Sequence, residues 1–218
     1  MVSDAGKTPE NIRVSIGSAI VLKILNGKLD AAPTTAYLMT YRRGKCTANC
    51  GFCPQARESS GRADMLSRIT WPAFPTKKVL SLVPKAVLDG AIKRVCIQAL
   101  NYPGVFEDLA ALIKAIKRSV SVPISVSCQP LNVENVSLLA EAGAERIGIP
   151  LDAATKEIFE VVKGKSVGGP YTWETQWKIL GGAVEVLGKG MISTHFIVGL
   201  GETEKELVSA IQSCVDLG

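Results

Sequence analysis

The chain has 218 residues, 47% of them hydrophobic, and 25 Lys and Arg residues against 20 Asp and Glu residues give a formal net charge of +5. This composition excludes a disordered or collagen-like chain, and no apolar run reaches the roughly 18 residues that a membrane-spanning helix needs. The basic residues are spread along the chain, so we expect no nucleic-acid partner and no membrane partner. No secretory leader pattern opens the sequence, which predicts a cytoplasmic protein whose cysteines are thiols or metal ligands.

The first part of the chain, residues 1–33, is predicted to be a helical extension, with a helix over residues 10–25. Over residues 34–218, short β-branched runs alternate with longer amphipathic segments, which is typical of βα units around a parallel sheet. The predicted strands span residues 36–41, 94–99, 123–128, 146–151 and 191–198. The predicted helices span residues 76–92, 106–118, 133–142, 173–187 and 204–217.

A repeated local pattern indicates the fold class. Residues 90–97 resemble residues 143–149, and in both a glycine is expected to end a helix just before a buried strand. This recurrence favours an α/β fold of the (β/α) TIM-barrel type, although a doubly wound sheet has the same local pattern. Because a full barrel typically has about 250 residues, we expect a partial barrel that is truncated after the fifth βα unit.

Three of the six cysteines, Cys46, Cys50 and Cys53, form a CxxxCxxC motif directly after the first predicted strand. Three thiolates on one short loop can bind three irons of an iron-sulfur cube and leave the fourth iron open to another ligand. A zinc site would need a fourth ligand, and no second CxxC or Cys/His pair follows nearby. A non-catalytic iron-sulfur carrier and a zinc-stabilised interaction module stay open as alternatives.

The motif, with Phe52 before its last cysteine, resembles that of the radical S-adenosylmethionine superfamily. The resemblance implies a [4Fe–4S] cluster whose open iron binds S-adenosylmethionine, which is cleaved to a 5'-deoxyadenosyl radical that abstracts a hydrogen atom. It also implies that Phe52 packs on the adenine side and that a ferredoxin or flavodoxin supplies electrons. The cofactor performs the chemistry, and the protein positions and shields it.

Within that superfamily, the chain most resembles the biotin synthase branch, through the loop ending in Pro54 and Gln55, residues 94–96, Cys128 and residues 197–203. This branch inserts sulfur into unactivated C–H bonds and uses an auxiliary iron-sulfur cluster as sulfur donor. The resemblance implies that Cys96 and Cys128 are two of its ligands, with Ser193 at the place of a third. Two small buried cysteines with no ligand role are the alternative.

The carboxyl ends of the predicted strands carry the other candidate site residues. Parallel strands of a barrel end at the active-site mouth, which singles out Gln98, Gln129, Asp152 and His195. The resemblance assigns Asp152 to the S-adenosylmethionine ribose and Ile197 to its adenine, and it places Gln98 at the methionyl amino group. Residues 199–203 are predicted to form a tight turn in which Thr203 caps the last helix.

Residues 14–19 and 50–57 resemble the archaeal-type, two-component lipoyl synthase. This implies an acyl chain on a lipoyl carrier domain as substrate, and a second radical S-adenosylmethionine protein as partner. Dethiobiotin is not expected, because Gly148 and Pro150 stand where biotin synthase has asparagines. Methylthiolation, mutase and rearrangement reactions stay open, since they use the same cluster residues.

Overall fold

The structure is a computed structural model that describes residues 7–218. Its strands are β1 (Asn11–Val14), β2 (Thr35–Thr40), β3 (Met65–Leu66), β4 (Ile69–Thr70), β5 (Ala73–Pro75), β6 (Arg94–Gln98), β7 (Ile124–Ser127), β8 (Arg146–Gly148) and β9 (Ile192–Ser193). Its α-helices are α1 (Ile16–Val21), α2 (Thr76–Leu88), α3 (Val105–Ser119), α4 (Val133–Ala142), α5 (Lys156–Val162), α6 (Trp173–Leu187) and α7 (Glu204–Leu217), with a 3₁₀ turn at Lys165–Val167.

A seven-stranded sheet forms the centre, in the order β5-β1-β2-β6-β7-β8-β9. Strands β2, β6, β7, β8 and β9 pair in parallel, whereas β1 is antiparallel to both β2 and β5. One face of the sheet packs against the helices; α3, for example, buries Leu109, Leu112, Ile113 and Ile116. Burial of such side chains contributes roughly 1.5–3 kcal/mol each. The opposite face of the sheet carries residues that line a cavity, among them Gln98 and Ser127.

The prediction for the N-terminal part is wrong in its first turns. Residues 11–14 form a strand rather than the start of a helix, and only Ile16–Val21 is helical. Ile12 and Val14 are β-branched and fully buried beside β2. Strand formation here depends on pairing with β2, which the spacing of apolar residues in the sequence does not show. The predicted extension also includes residues 1–6, which lie outside the described residues.

The repeated turns agree with the prediction. Gly90 and Gly143 both have left-handed backbone conformations, with φ of 73° and 109°. Gly143 directly follows α4, and Gly90 lies two residues after the end of α2. Two later strands are shorter than predicted: β8 ends at Gly148 because Pro150 has no N–H to donate. The edge strand β9 has a pairing neighbour on one side only in residues 7–218, and it is limited to Ile192–Ser193.

The structure also contains elements that the sequence did not predict. These are α5, the β3–β4 hairpin and strand β5. All are short, and α5 has seven residues. Among residues 7–218, no helix combines the length and apolar character that crossing a bilayer requires.

Candidate active site

A cavity of about 580 Å³ lies at the carboxyl ends of the parallel strands. It is where the topology of parallel α/β folds places active sites. Most of the candidate site residues line it together: Cys46, Cys50, Phe52, Cys53, Gln98, Gln129, Asp152, His195 and Ile197. These residues come from segments far apart in sequence, so the fold rather than the motif brings them together.

The strand register shows what lies in the inner layer of the sheet. Met39, Gln98, Ser127, Gly148 and Ser193 form one row across β2, β6, β7, β8 and β9. A Cβ at Gly148 would lie 3.2 Å from the Ser193 hydroxyl, which is tight. The row therefore has small residues, Ser127, Gly148 and Ser193, on β7, β8 and the edge strand β9.

The cysteine loop is held by its own backbone and by one lysine. The Cys46 N–H donates to the Gln55 carbonyl at 2.9 Å, closing the loop around the motif. The Lys45 ammonium donates to the carbonyls of Pro54 and Gly61 at 3.1 and 2.6 Å, and also to that of Ser59. Charge-assisted bonds of this kind are stronger than neutral ones. The loop is thus shaped by contacts that do not involve the thiols.

The three thiols are half-buried and differ in their surroundings. Cys46 Sγ accepts the Asn101 backbone N–H at 3.2 Å. Burial raises the pKa of Cys50 to about 12, although the positive charge of Lys163 opposes this rise. Burial also raises the pKa of Cys53, against the N–H groups of Gln55 and Ala56. Binding to iron removes these protons, so cluster assembly would release protons.

Within residues 7–218, no three His, Cys, Asp or Glu side chains are grouped as a single-ion site requires. The ligands of an iron-sulfur cube each bind a different iron, so they do not have to meet at one point. The donor set fits the cube: three thiol groups of one loop all line the same cavity. No fourth cysteine lines that cavity in the described part of the chain.

Opposite the cysteines, Asp152 is part of a buried charge network. Its carboxylate accepts from Lys163 Nζ at 2.6 Å through Oδ2 and lies 2.9 Å from His195 Nε2 through Oδ1. The Asp152 side chain is 6% exposed and that of Lys163 1%, whereas that of His195 is 60% exposed. Burial alone would raise the pKa of Asp152, but the bond from His195 and the charge of Lys163 outweigh it and lower that pKa.

The cavity residues that were not singled out from the sequence include Asn101, Lys163 and Tyr171. The Asn101 side-chain amide donates to the Tyr171 hydroxyl, while its backbone carbonyl accepts from Thr47 N and Oγ1, both at 2.8 Å. Burial raises the pKa of Tyr171. Asn101 follows β6 by a few residues, a position typical of barrel active sites, and this signal was available in the sequence. Lys163 lies in the unpredicted helix α5 and had no such signal.

Two amide oxygens in the cavity wall lack partners. In the described residues, neither Gln55 Oε1 nor Gln129 Oε1 has a hydrogen bond, and both atoms are buried. Their amide nitrogens are satisfied, by the Ala63 and Met65 carbonyls for Gln55 and by the Pro150 carbonyl for Gln129. Because buried polar atoms are nearly always paired, each of these oxygens can accept a hydrogen bond from a group that enters the cavity.

Cys96 and Cys128, which the resemblance predicts to be two ligands of an auxiliary cluster, lie in different surroundings. On β6, Cys96 lies two residues before Gln98 and therefore on the same, inner face of the sheet. Gln98 lines the cavity, and Cys96 lies one pair of residues further from it. Cys128 instead packs with Val126 in the hydrophobic core under the helices and is 3% exposed. Side chains of adjacent residues alternate between the faces of a strand, so the two thiols lie on opposite sides of the sheet. Cys128 is a core residue, and its burial raises its pKa to about 12.

A model of the radical SAM superfamily matches residues 43–214 of this chain. The chain belongs to the radical SAM superfamily. Membership implies a [4Fe–4S] cluster and S-adenosylmethionine as cofactors, in agreement with the interpretation of the cysteine motif.

The curated proteins that the chain matches include biotin synthases, at low sequence identity. It is 26% identical to the biotin synthase of Acidothermus cellulolyticus over 183 residues, covering 83% of this chain and 50% of the relative. It is 27% identical to that of Mycobacterium tuberculosis (strain H37Rv) over 184 residues, covering 83% and 48%. The chain therefore spans about half the length of the curated relatives it matches.

Solved structures confirm the fold class. The FeFe-hydrogenase maturase HydG from Carboxydothermus hydrogenoformans superposes with a TM-score of 0.65 at 18% identity, covering 91% of this chain and 43% of that chain. Methylornithine synthase (PylB) superposes with a TM-score of 0.62 at 14% identity, covering 83% and 50%. The mostly parallel sheet with its helices is thus a partial radical SAM barrel, as predicted, rather than a doubly wound sheet.

Proposed function

We propose that this radical SAM protein binds a [4Fe–4S] cluster through Cys46, Cys50 and Cys53 and cleaves S-adenosylmethionine reductively. The observation that carries the proposal is that the three thiols open into the cavity formed by the strand ends. When bound, the cluster supplies the electron that converts S-adenosylmethionine into methionine and a 5'-deoxyadenosyl radical, which abstracts a hydrogen atom from the substrate.

The cavity residues have separate binding roles in this proposal. Phe52 and Ile197 pack against the adenine, and Asp152 accepts from the ribose hydroxyls through lone pairs that Lys163 and His195 leave free. Gln98 lies at the methionyl end. The unpaired oxygens of Gln55 and Gln129 would accept from donor groups of the cofactor or substrate.

The cavity wall also has a shielding role. Met39, Leu66 and Leu100 contribute apolar surface to it. Met39 and Leu100 form a small buried cluster with Trp71, against which Cys46 and Leu66 pack. Excluding water and unrelated donors from this wall prevents side reactions of a reactive intermediate. An electron donor such as a ferredoxin or flavodoxin would reach the cluster from outside, where Cys50 and Cys53 also border a surface groove beside Asn49 and Ser166.

For the substrate, we propose the octanoyl-type acyl chain of a lipoyl carrier domain, into which sulfur is inserted. The similarity to biotin synthase and the apolar part of the cavity wall support this choice. Because Cys96 and Cys128 lie on opposite sheet faces, the proposal places the sulfur donor outside this pair, in a second radical SAM protein. The other biotin-synthase-like reactions are the alternative, and they differ in the product formed.

The test begins with anaerobic purification, reconstitution with iron and sulfide, and reduction with dithionite. With S-adenosylmethionine added, we expect about four irons per chain, as one [4Fe–4S] cluster requires, and 5'-deoxyadenosine detectable by mass spectrometry. Cys50→Ala should abolish product, whereas Cys214→Ala, on α7, should leave it unchanged. Zinc in place of iron, or equal product from both variants, would contradict the proposal. A thiolated octanoyl carrier, formed only when the second protein is present, would support the substrate.

A further inference from the structure

Lys163 is a buried cation in the cavity wall, outside the cysteine motif. It directly follows α5, and its side chain is 1% exposed. Its ammonium donates to Asp152 Oδ2 at 2.6 Å and to the Pro150 carbonyl, and it lies 5.7 and 5.4 Å from the ring centroids of Phe159 and Tyr171. Burying an ammonium costs several kcal/mol unless it is paired. Lys163 and Asp152 therefore form one buried unit.

This unit joins the two sides of the site. On the cysteine side, the Gly51 N–H donates to the Val162 carbonyl at 2.8 Å, and the Asn49 side chain donates to the Val167 carbonyl at 2.7 Å. Both acceptors lie within a few residues of Lys163. The segment that carries Lys163 is thus bonded directly to the loop that carries Cys50 and Cys53.

On the other side, Asp152 is bonded to the end of the last strand region. Its N–H donates to the His195 carbonyl at 2.9 Å, and its carbonyl accepts from the Ile197 N–H at 2.8 Å. Asp152 also has a φ of 68°, a conformation that is unfavourable for a non-glycine residue and persists only when its surroundings enforce it. Lys163 and His195 each hold one of its carboxylate oxygens.

We propose that Lys163 is a positioning residue: it orients the Asp152 carboxylate for the ribose, and its fixed positive charge beside Cys50 raises the reduction potential of the bound cluster. The inference rests on the proposed function, because it assigns Lys163 a role toward the same two cofactors. A positive charge near a cluster favours the more negative, reduced state. The Asp152 carboxylate offsets part of that charge, but its effect on Cys50 is smaller than that of Lys163. The low exposure of Lys163 leaves little solvent to screen the remaining charge.

The test compares Lys163→Met, which keeps an unbranched side chain without the charge, with Lys163→Arg and with Lys165→Met, which alters an exposed lysine nearby. Iron content, the dissociation constant for S-adenosylmethionine and the reduction potential are measured on reconstituted protein. We expect Lys163→Met to bind iron normally, to bind S-adenosylmethionine about tenfold more weakly and to have a more negative potential. Lys163→Arg should restore the potential, and Lys165→Met should match the wild type.

A double variant separates positioning from folding. Lys163→Met alone leaves the buried Asp152 charge without its lysine partner, which can unfold the chain. Lys163→Met with Asp152→Asn removes both charges, so we expect it to fold like the wild type and still bind S-adenosylmethionine weakly. If neither variant folds, Lys163 is structural and the inference is wrong. Wild-type affinity and potential in a folded Lys163→Met would overturn the inference alone, whereas wild-type protein that binds no S-adenosylmethionine would overturn the proposed function with it.

Discussion

At the scale of single residues, charge burial distinguishes the two sides of the cavity. On the cysteine side, burial favours neutral thiols, so iron must displace their protons. On the strand side, burial of Asp152 is compensated by Lys163 and His195, which keep it ionised. One side therefore carries neutral thiols at the proposed cluster site, and the other carries a buried anion that can accept hydrogen bonds.

The lowered pKa of Asp152 predicts a pH dependence of stability. Its folded-state pKa lies below the unfolded value of about 3.9, so the stability it contributes is complete above that value and is lost as the pH falls through the folded pKa. Urea unfolding of the cluster-free protein should show a smaller free energy of unfolding below about pH 4. Asp152→Asn should lose less on acidification, whereas Asp216→Asn, on the exposed side of α7, should behave like the wild type. Identical acid dependence in all three proteins would contradict the assignment.

Site residues could be predicted from the sequence where local spacing or strand ends reveal them. Cys46, Cys50 and Cys53 are recognisable by their spacing alone. Gln98 lies at the carboxyl end of a predicted strand, and Asp152 directly follows one. Lys163 was missed because a lysine near the end of a short helix usually extends into solvent, and only tertiary packing buries this one. The opposite faces of Cys96 and Cys128 depend on the register of β6 and β7, which a one-residue shift would reverse.

At the scale of elements, strong local signals were the reliable ones. The central helices and parallel strands agree with their predicted positions because amphipathic periodicity and glycine ends act together. Strand β1 was missed because its pairing with β2 and β5 decides its structure. Strand β9 is short because it has one neighbour in the described residues, so a β-branched run was not enough to extend it.

The turn before α7 shows how a motif can be structural rather than ligand-binding. The Glu202 carboxylate accepts the N–H groups of Gly199 and Leu200 at 2.6 and 3.0 Å. Thr203 then caps α7 as predicted, in a capping box with Glu206. The Glu202 carboxylate thus occupies two backbone N–H groups that could otherwise donate hydrogen bonds to a phosphate group.

Removing the cap predicts a measurable loss of stability. Thr203→Ala should lower the free energy of unfolding by about 1 kcal/mol, because an N-terminal N–H of α7 loses its acceptor. Ser213→Ala removes a hydroxyl from the exposed face of the same helix and should change stability by less than about 0.5 kcal/mol. Chemical denaturation of the cluster-free protein measures both. Equal effects would show that the cap does not stabilise α7.

At the scale of the whole molecule, the sheet has two unlike faces. The helix-covered face holds the hydrophobic core, which includes Cys128, and the inner face leads to the cavity with the cysteine loop at its mouth. The contacts of Gly51 with Val162, and of Lys163 with Asp152, connect that loop to the strand ends. The proposed cluster ligands and the proposed cofactor-binding residues are thereby held in one framework.

A cluster held by the three proposed cysteine ligands would leave one iron open to S-adenosylmethionine. Electron paramagnetic resonance of the reduced, reconstituted protein tests it most directly, with S-adenosylmethionine labelled with ¹⁵N and ¹⁷O at its amino and carboxylate groups. We expect the cofactor to change the cluster spectrum and hyperfine coupling to the label to appear. A cluster spectrum unchanged by S-adenosylmethionine, with no coupling to the label, would contradict it.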